Sequence, residues 1–134
     1  MSQENVEILR RANAAFNSGD RDGMLSVLHP DVELRDLQHA PDAPEAMYGT
    51  EAVMAYLDQW DAVFDTFTAE IEEYIDAGDS VIVVAHWHAT GGDSGVATNL
   101  HTADVYEFAD GKIVRATTAY ADKHAALKAV GLEE

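Results

Sequence analysis

The stretch FTAEIEEYIDAGDSVIVVAHWHATGGDSGVATNLHTADVYEFADGKIVRATTAYA, residues 67–121, decides the fold. It divides into four runs, Phe67 to Asp76, Ser80 to Thr90, Val96 to Ala109 and Lys112 to Ala121, joined by Ala77-Gly78-Asp79, Gly91 to Gly95 and Asp110-Gly111. Within each run apolar and polar residues tend to alternate, as they do in half-buried strands, and Asp-Gly between two such runs signals a tight hairpin. The four runs read as an antiparallel meander.

Toward the N-terminus the spacing changes to three and four. Ser2 can cap a first helix with the stripe Val6, Leu9 and Phe16, widened by Ile8, Ala12 and Ala15. Gly19 ends it, and Asp20 can cap a short second helix carrying Met24, Leu25, Val27 and Leu28, closed by the turn His29-Pro30-Asp31. Val32 to Leu37 alternates as a short strand, and a loop with Pro41 and Pro44 runs from Gln38 to Met47. Thr50 then caps a helix with Val53, Tyr56, Leu57, Trp60 and Phe64 on one face, and Asp122 to Val130 reads as a short closing helix. Helices followed by a long sheet make an α+β domain, expected to span residues 1–134 as one unit, with a curved antiparallel sheet wrapping the N-terminal helices around an internal cavity.

Composition narrows the function. The 134 residues include 25 Asp and Glu against 8 Lys and Arg, a formal charge of −17, and the cations are scattered. Such a surface repels phosphate backbones and anionic headgroups, so neither nucleic acid nor membrane is an expected partner. With no Cys, thiolate metal sites, disulfides and Cys nucleophiles are excluded. The polar start MSQENVEILRRANAAF lacks a signal-peptide pattern, and the expected location is the cytoplasm.

Two acids stand out. Asp36 falls late in a strand between Leu34 and Leu37, and Asp104 shares a strand face with Leu100, Thr102, Tyr106 and Phe108. If that face is inward, burial raises the Asp104 carboxyl pKa and a less buried carboxylate can act as base. If it is outward, Asp104 meets solvent or a neighbouring strand and Asp36 caps a turn. His86 and His88 alternate on one strand, and they share the face of Asp104 only if Thr90 pairs with Val96; a one-residue slip sends them outside. His101 faces away from Asp104, and since no nearby Glu or third His completes a ligand pattern, no metal and no cofactor are expected. Asn13 interrupts the first helix's apolar stripe, either as a buried amide satisfied by backbone or as a donor into the cavity.

In order and spacing, five segments resemble a known family: Ala14-Ala15-Phe16-Asn17-Ser18-Gly19-Asp20, His29-Pro30-Asp31-Val32-Glu33, Tyr48-Gly49-Thr50-Glu51, Asp104-Val105-Tyr106-Glu107-Phe108 and Asp110-Gly111-Lys112-Ile113-Val114. The chain is similar to the nuclear-transport-factor-2-like (cystatin-like) cone proteins, and within them to the SnoaL-like and ketosteroid-isomerase-like members. The resemblance implies an isomerase-type site with Asp36 as general base and Asp104 as protonated hydrogen-bond donor, a mechanism described in general terms for ketosteroid isomerase. It also implies a Tyr donor on the first helix, where this chain has Ala12 or Asn13. Asn13, Tyr56 or Tyr120 would have to substitute, and Tyr56, Trp60, His86, His88, Tyr106 and Tyr120 are expected to bind substrate with Asn13. The expected ligand is an apolar small molecule, neutral or cationic, handled without cofactor by an isomerase, cyclase or hydratase. A homodimer through the outer sheet face is also expected; the other class of function is a non-catalytic binding or assembly module.

Overall fold

The computed structural model describes residues 2–37, 45–63, 66–90 and 98–132. Its elements are α1 (Ser2–Ser18), α2 (Arg21–Val27), β1 (Leu28–Asp36), β2 (Ala46–Tyr48), α3 (Thr50–Val63), β3 (Thr66–Asp76), β4 (Ser80–Thr90), β5 (Thr98–Ala109), β6 (Lys112–Tyr120) and α4 (Lys123–Ala129). The Asp20 carboxylate accepts the Gly23 N–H at 2.9 Å and starts α2, while Asp122 does the same for Ala125 at 2.9 Å in α4. Asp110 and Gly111 both take positive φ, 55° and 73°, as the tight turn between β5 and β6 requires.

One six-stranded sheet runs in the order β2-β1-β6-β5-β4-β3. The meander β3 to β6 is antiparallel throughout, as its patterning predicts. The sheet is not wholly antiparallel, however, because β1 lies parallel to β6. Four antiparallel strands leave β6 running opposite to β3, and because β3 enters opposite to β1, β6 runs alongside β1 in the same direction. Two expectations fail at β1. His29-Pro30-Asp31 is not a turn but part of the strand; Pro, which has no N–H to donate, is tolerated because the ladder to β6 is interrupted between Leu28 and Glu33. Ala46 and Met47, read as the end of the loop, form with Tyr48 a short strand antiparallel to β1, too brief to show alternation. Residues 38–44 of the Pro loop lie outside the described residues.

The concave face packs on α1 and α3. Ile8 and Leu9, Val53 and Met54, and Val32, Leu34, Val81, Val83 and Ala85 form the buried core. On the convex face α4 covers a smaller cluster of Ile82, Ala103, Val105 and Ala126. Among the described residues no helix is long and apolar enough to cross a membrane.

Asn17 fastens α1 to the edge of the sheet. Its amide donates to the Ala69 carbonyl at 2.9 Å and accepts the Ala69 N–H at 2.9 Å, satisfying both backbone groups that edge strand β3 turns away from β4. Asn17→Ala leaves both unpaired and is expected to lower stability by about 1–3 kcal/mol, read as a shift in the urea midpoint at constant slope.

Candidate ligand cavity

Between the concave sheet face and α1, α2 and α3 lies a cavity of about 320 Å³, within the range of small-molecule sites. Most of its lining is apolar, including Leu9, Phe16, Val53, Leu57, Val83 and Ile113. Phe16 stands edge-on to Phe67 at 5.9 Å and to Trp87 at 5.7 Å, and Phe67 and Trp87 stack at 5.0 Å, forming an aromatic wall. Leu100 lines the cavity yet is 45% exposed, which puts it where the cavity meets solvent. Among the described residues no Lys or Arg lines it.

Asp36 and Asp104 both face this cavity, 8% and 2% exposed. Strand alternation brings Asp104 inward with Leu100, Thr102 and Tyr106, as one of the two alternatives from the sequence required. A β-bulge shapes its surroundings. Ala103 pairs with Tyr120 and Val105 with Thr117, so Thr118 and Ala119 together oppose Asp104. Ala119 adopts φ 71°, unusual for a residue with a Cβ, and turns its N–H onto Asp104 Oδ1 at 2.8 Å. The Trp87 indole N–H donates to Thr102 Oγ1 at 2.9 Å, and the Thr102 hydroxyl bonds the Asp104 side chain.

These groups pull Asp104 in two directions. Burial, and after it the negative charge of Asp36, favours the protonated acid; the Ala119 and Thr102 hydrogen bonds favour the carboxylate. Burial wins, and the carboxyl is raised from 3.8 to about 7. Tyr106, beside it, is held protonated by burial and then by the charge of Asp104. Asp36 ends β1 opposite Thr118 of β6, and its Oδ2 accepts the Tyr56 O–H from α3.

The expected substrate-binding residues divide. Asn13, Tyr56 and Tyr106 line the cavity. The side chain of Trp60 lies outside the described residues. Tyr120 does not line it: the bulge at Thr118–Ala119 adds one residue to β6, reverses the alternation, and packs Tyr120 against Ala103, Val105 and Ile82 on the convex side. His86 and His88 are also on the convex face, because Ala89 pairs with Thr98 and Val83 with Asp104, which puts Val83, Ala85 and Trp87 on the concave side. Tyr74 also lines the cavity, through a second bulge between Ile71 and Glu73. Its signal was present: in Ala69-Glu70-Ile71-Glu72-Glu73-Tyr74 the apolar spacing passes from two to three.

A family model for the SnoaL-like domain matches residues 9–116. Among solved structures, the chain is similar to TerC co-crystallised with polyporic acid (24% identity, TM-score 0.78, covering 95% of this chain and 98% of that one). It is similar also to Bal32a from a soil-derived mobile gene cassette (23%, 0.80, 93% and 95%). A third is RV0760c from Mycobacterium tuberculosis in complex with estradiol-17β-hemisuccinate (20%, 0.75, 87% and 93%). These likenesses establish the cone fold. No curated protein matches the chain.

Proposed function

The chain belongs to the SnoaL-like domain family, and from that premise we propose that it binds a largely apolar, uncharged carbonyl compound and moves a proton on it without a cofactor. One observation carries the reading: two carboxyls in unlike environments face one apolar cavity, Asp104 raised to about 7 and Asp36 held by the Tyr56 hydroxyl. Such a division between neighbouring acids assigns donor and base. Asp36 takes a proton from the carbon beside the carbonyl; the oxygen, becoming an enolate, receives a hydrogen bond from protonated Asp104; Asp36 then returns the proton to the same or a conjugated carbon. The absence of Lys and Arg among the described lining residues supports an uncharged ligand over an anionic one. TerC, co-crystallised with polyporic acid, and RV0760c, in complex with estradiol-17β-hemisuccinate, support small-molecule binding on this fold.

A panel of uncharged polycyclic enones in deuterated buffer tests this. Saturable binding with α-proton exchange faster than in buffer supports the reading, while binding without exchange at any pH leaves a non-catalytic binder. Because a protonated Asp104 is the donor, exchange is expected to fall as pH rises through about 7. A rate that climbs through pH 7 would remove Asp104 from the donor role.

A further inference from the structure

The convex face carries a cluster of side chains that the cavity does not use. Glu70 of β3 and His86 of β4 are register partners, His88 follows two residues along on the same face, and His101 of β5 partners His86 from the other side. Cross-strand partners stand close enough for their side chains to meet. Here they do: Glu70 Oε1 lies 3.8 Å from His86 Nδ1 and 3.6 Å from His88 Nε2. One carboxylate oxygen and two ring nitrogens lie within 4.8 Å of one another. Around a tetrahedral Zn²⁺ with bonds of about 2.0–2.1 Å, donor atoms sit roughly 3.3 Å apart, so small rotations of exposed side chains close the difference. The sequence showed the His pair but not its Glu, because Glu70 is sixteen positions from His86 and only the β3–β4 register brings them together.

We propose that Glu70, His86 and His88 form a binding site for one divalent transition-metal ion of the zinc class. Imidazole and carboxylate donors suit zinc, copper and nickel; magnesium and calcium prefer sites built of oxygen alone. The rings are already arranged. His86 stacks on His101 with ring centroids 4.0 Å apart and planes nearly parallel at 14°, and lies 4.1 Å from His88, so its orientation is fixed by packing before a metal arrives. In the single chain Glu70 and His88 are 68% and 44% exposed at their side chains, which leaves room beside the ion for further ligands. Nothing here depends on the reading of the cavity, which opens on the other face.

Titrating chelator-treated protein with Zn²⁺ by calorimetry and with Co²⁺ by visible absorption tests the site. Expected are one tightly held ion per chain, a Co²⁺ spectrum of four- or five-coordinate intensity, and no displacement by excess Mg²⁺ or Ca²⁺. Glu70→Gln and His88→Gln should each weaken binding by at least about tenfold, and His29→Gln should leave it unchanged. Circular dichroism without metal checks that the variants fold, and the wild-type Co²⁺ spectrum reads coordination without any variant. The proposal is overturned by the absence of saturable Zn²⁺ and Co²⁺ binding. Equal affinity in Glu70→Gln and His88→Gln, or displacement by Ca²⁺, would also overturn it, pointing to counter-ion association with a chain of charge −17.

Discussion

Asp36→Asn is expected to lower α-proton exchange on a bound ketone by about 10²–10⁴-fold while leaving affinity close to wild type. The substitution keeps shape and volume, and the Asn oxygen can still accept the Tyr56 O–H that Asp36 Oδ2 accepts. What is lost is the negative charge, and with it the ability to take a proton. Exchange followed by NMR in deuterated buffer, with affinity measured on the same ketone, separates the two effects. Exchange at the wild-type rate would mean the base lies elsewhere. The same variant carries a second readout: since the charge of Asp36 is one of the causes raising Asp104, removing it should bring the Asp104 carboxyl below about 7 in a carboxyl NMR titration. A structural defect alone would not produce that shift together with retained binding.

Asp104→Asn is expected to make the protein more stable above pH 7 and nearly unchanged in acid. Asp104 is raised from 3.8 to about 7 by burial, so in the folded state it keeps its proton over a range in which the unfolded chain has lost it. Its favourable contribution is therefore fully present below about pH 4, declines as pH rises, and is gone above about pH 7. At 1.36 kcal/mol per unit, the carboxylate form costs at most about 4 kcal/mol in the folded protein at pH 8. Asn resembles the protonated acid: its oxygen can accept the Ala119 N–H, and its NH2 can donate to Thr102, whose hydroxyl can turn to accept. The melting temperature at pH 8 should rise by roughly 10 °C, the gain vanishing near pH 4. A gain independent of pH would point to better packing instead of relief of a buried charge. The same substitution removes a titrating donor from the cavity, so greater stability with slower exchange is the joint signature of a functional group kept at a stability cost.

What could be read from the sequence follows the range over which each signal acts. The α1 stripe, the Asp20 cap, the Asp110-Gly111 hairpin and the strands of the meander are encoded within a few residues each, and they stand where their patterns put them. The three-residue β2 and the start of β1 were not legible. The first is too short to alternate, and the second contains a Pro that reads as a break unless the gap in its ladder is known.

The candidate site divides in the same way. Asp104 could be placed on a face with Thr102 and Tyr106, and Asp36 near the end of a strand, because period-two patterning carries that far. Which faces look inward was decided only by assembly. A bulge at Thr118–Ala119 moved Tyr120 to the convex side and supplied the Ala119 N–H to Asp104; a bulge at Glu72 turned Tyr74 into the cavity; and the β4–β5 register put His86 and His88 outside, against Glu70. A bulge or a slip of one residue reverses every side chain beyond it, yet in the local sequence it alters little more than one spacing. The chain by itself determined most of its elements, its acidic surface and the two carboxyls worth following. Tertiary structure decided their surroundings, because burial and neighbouring charge come from residues far apart in the chain, and these raise Asp104 to about 7.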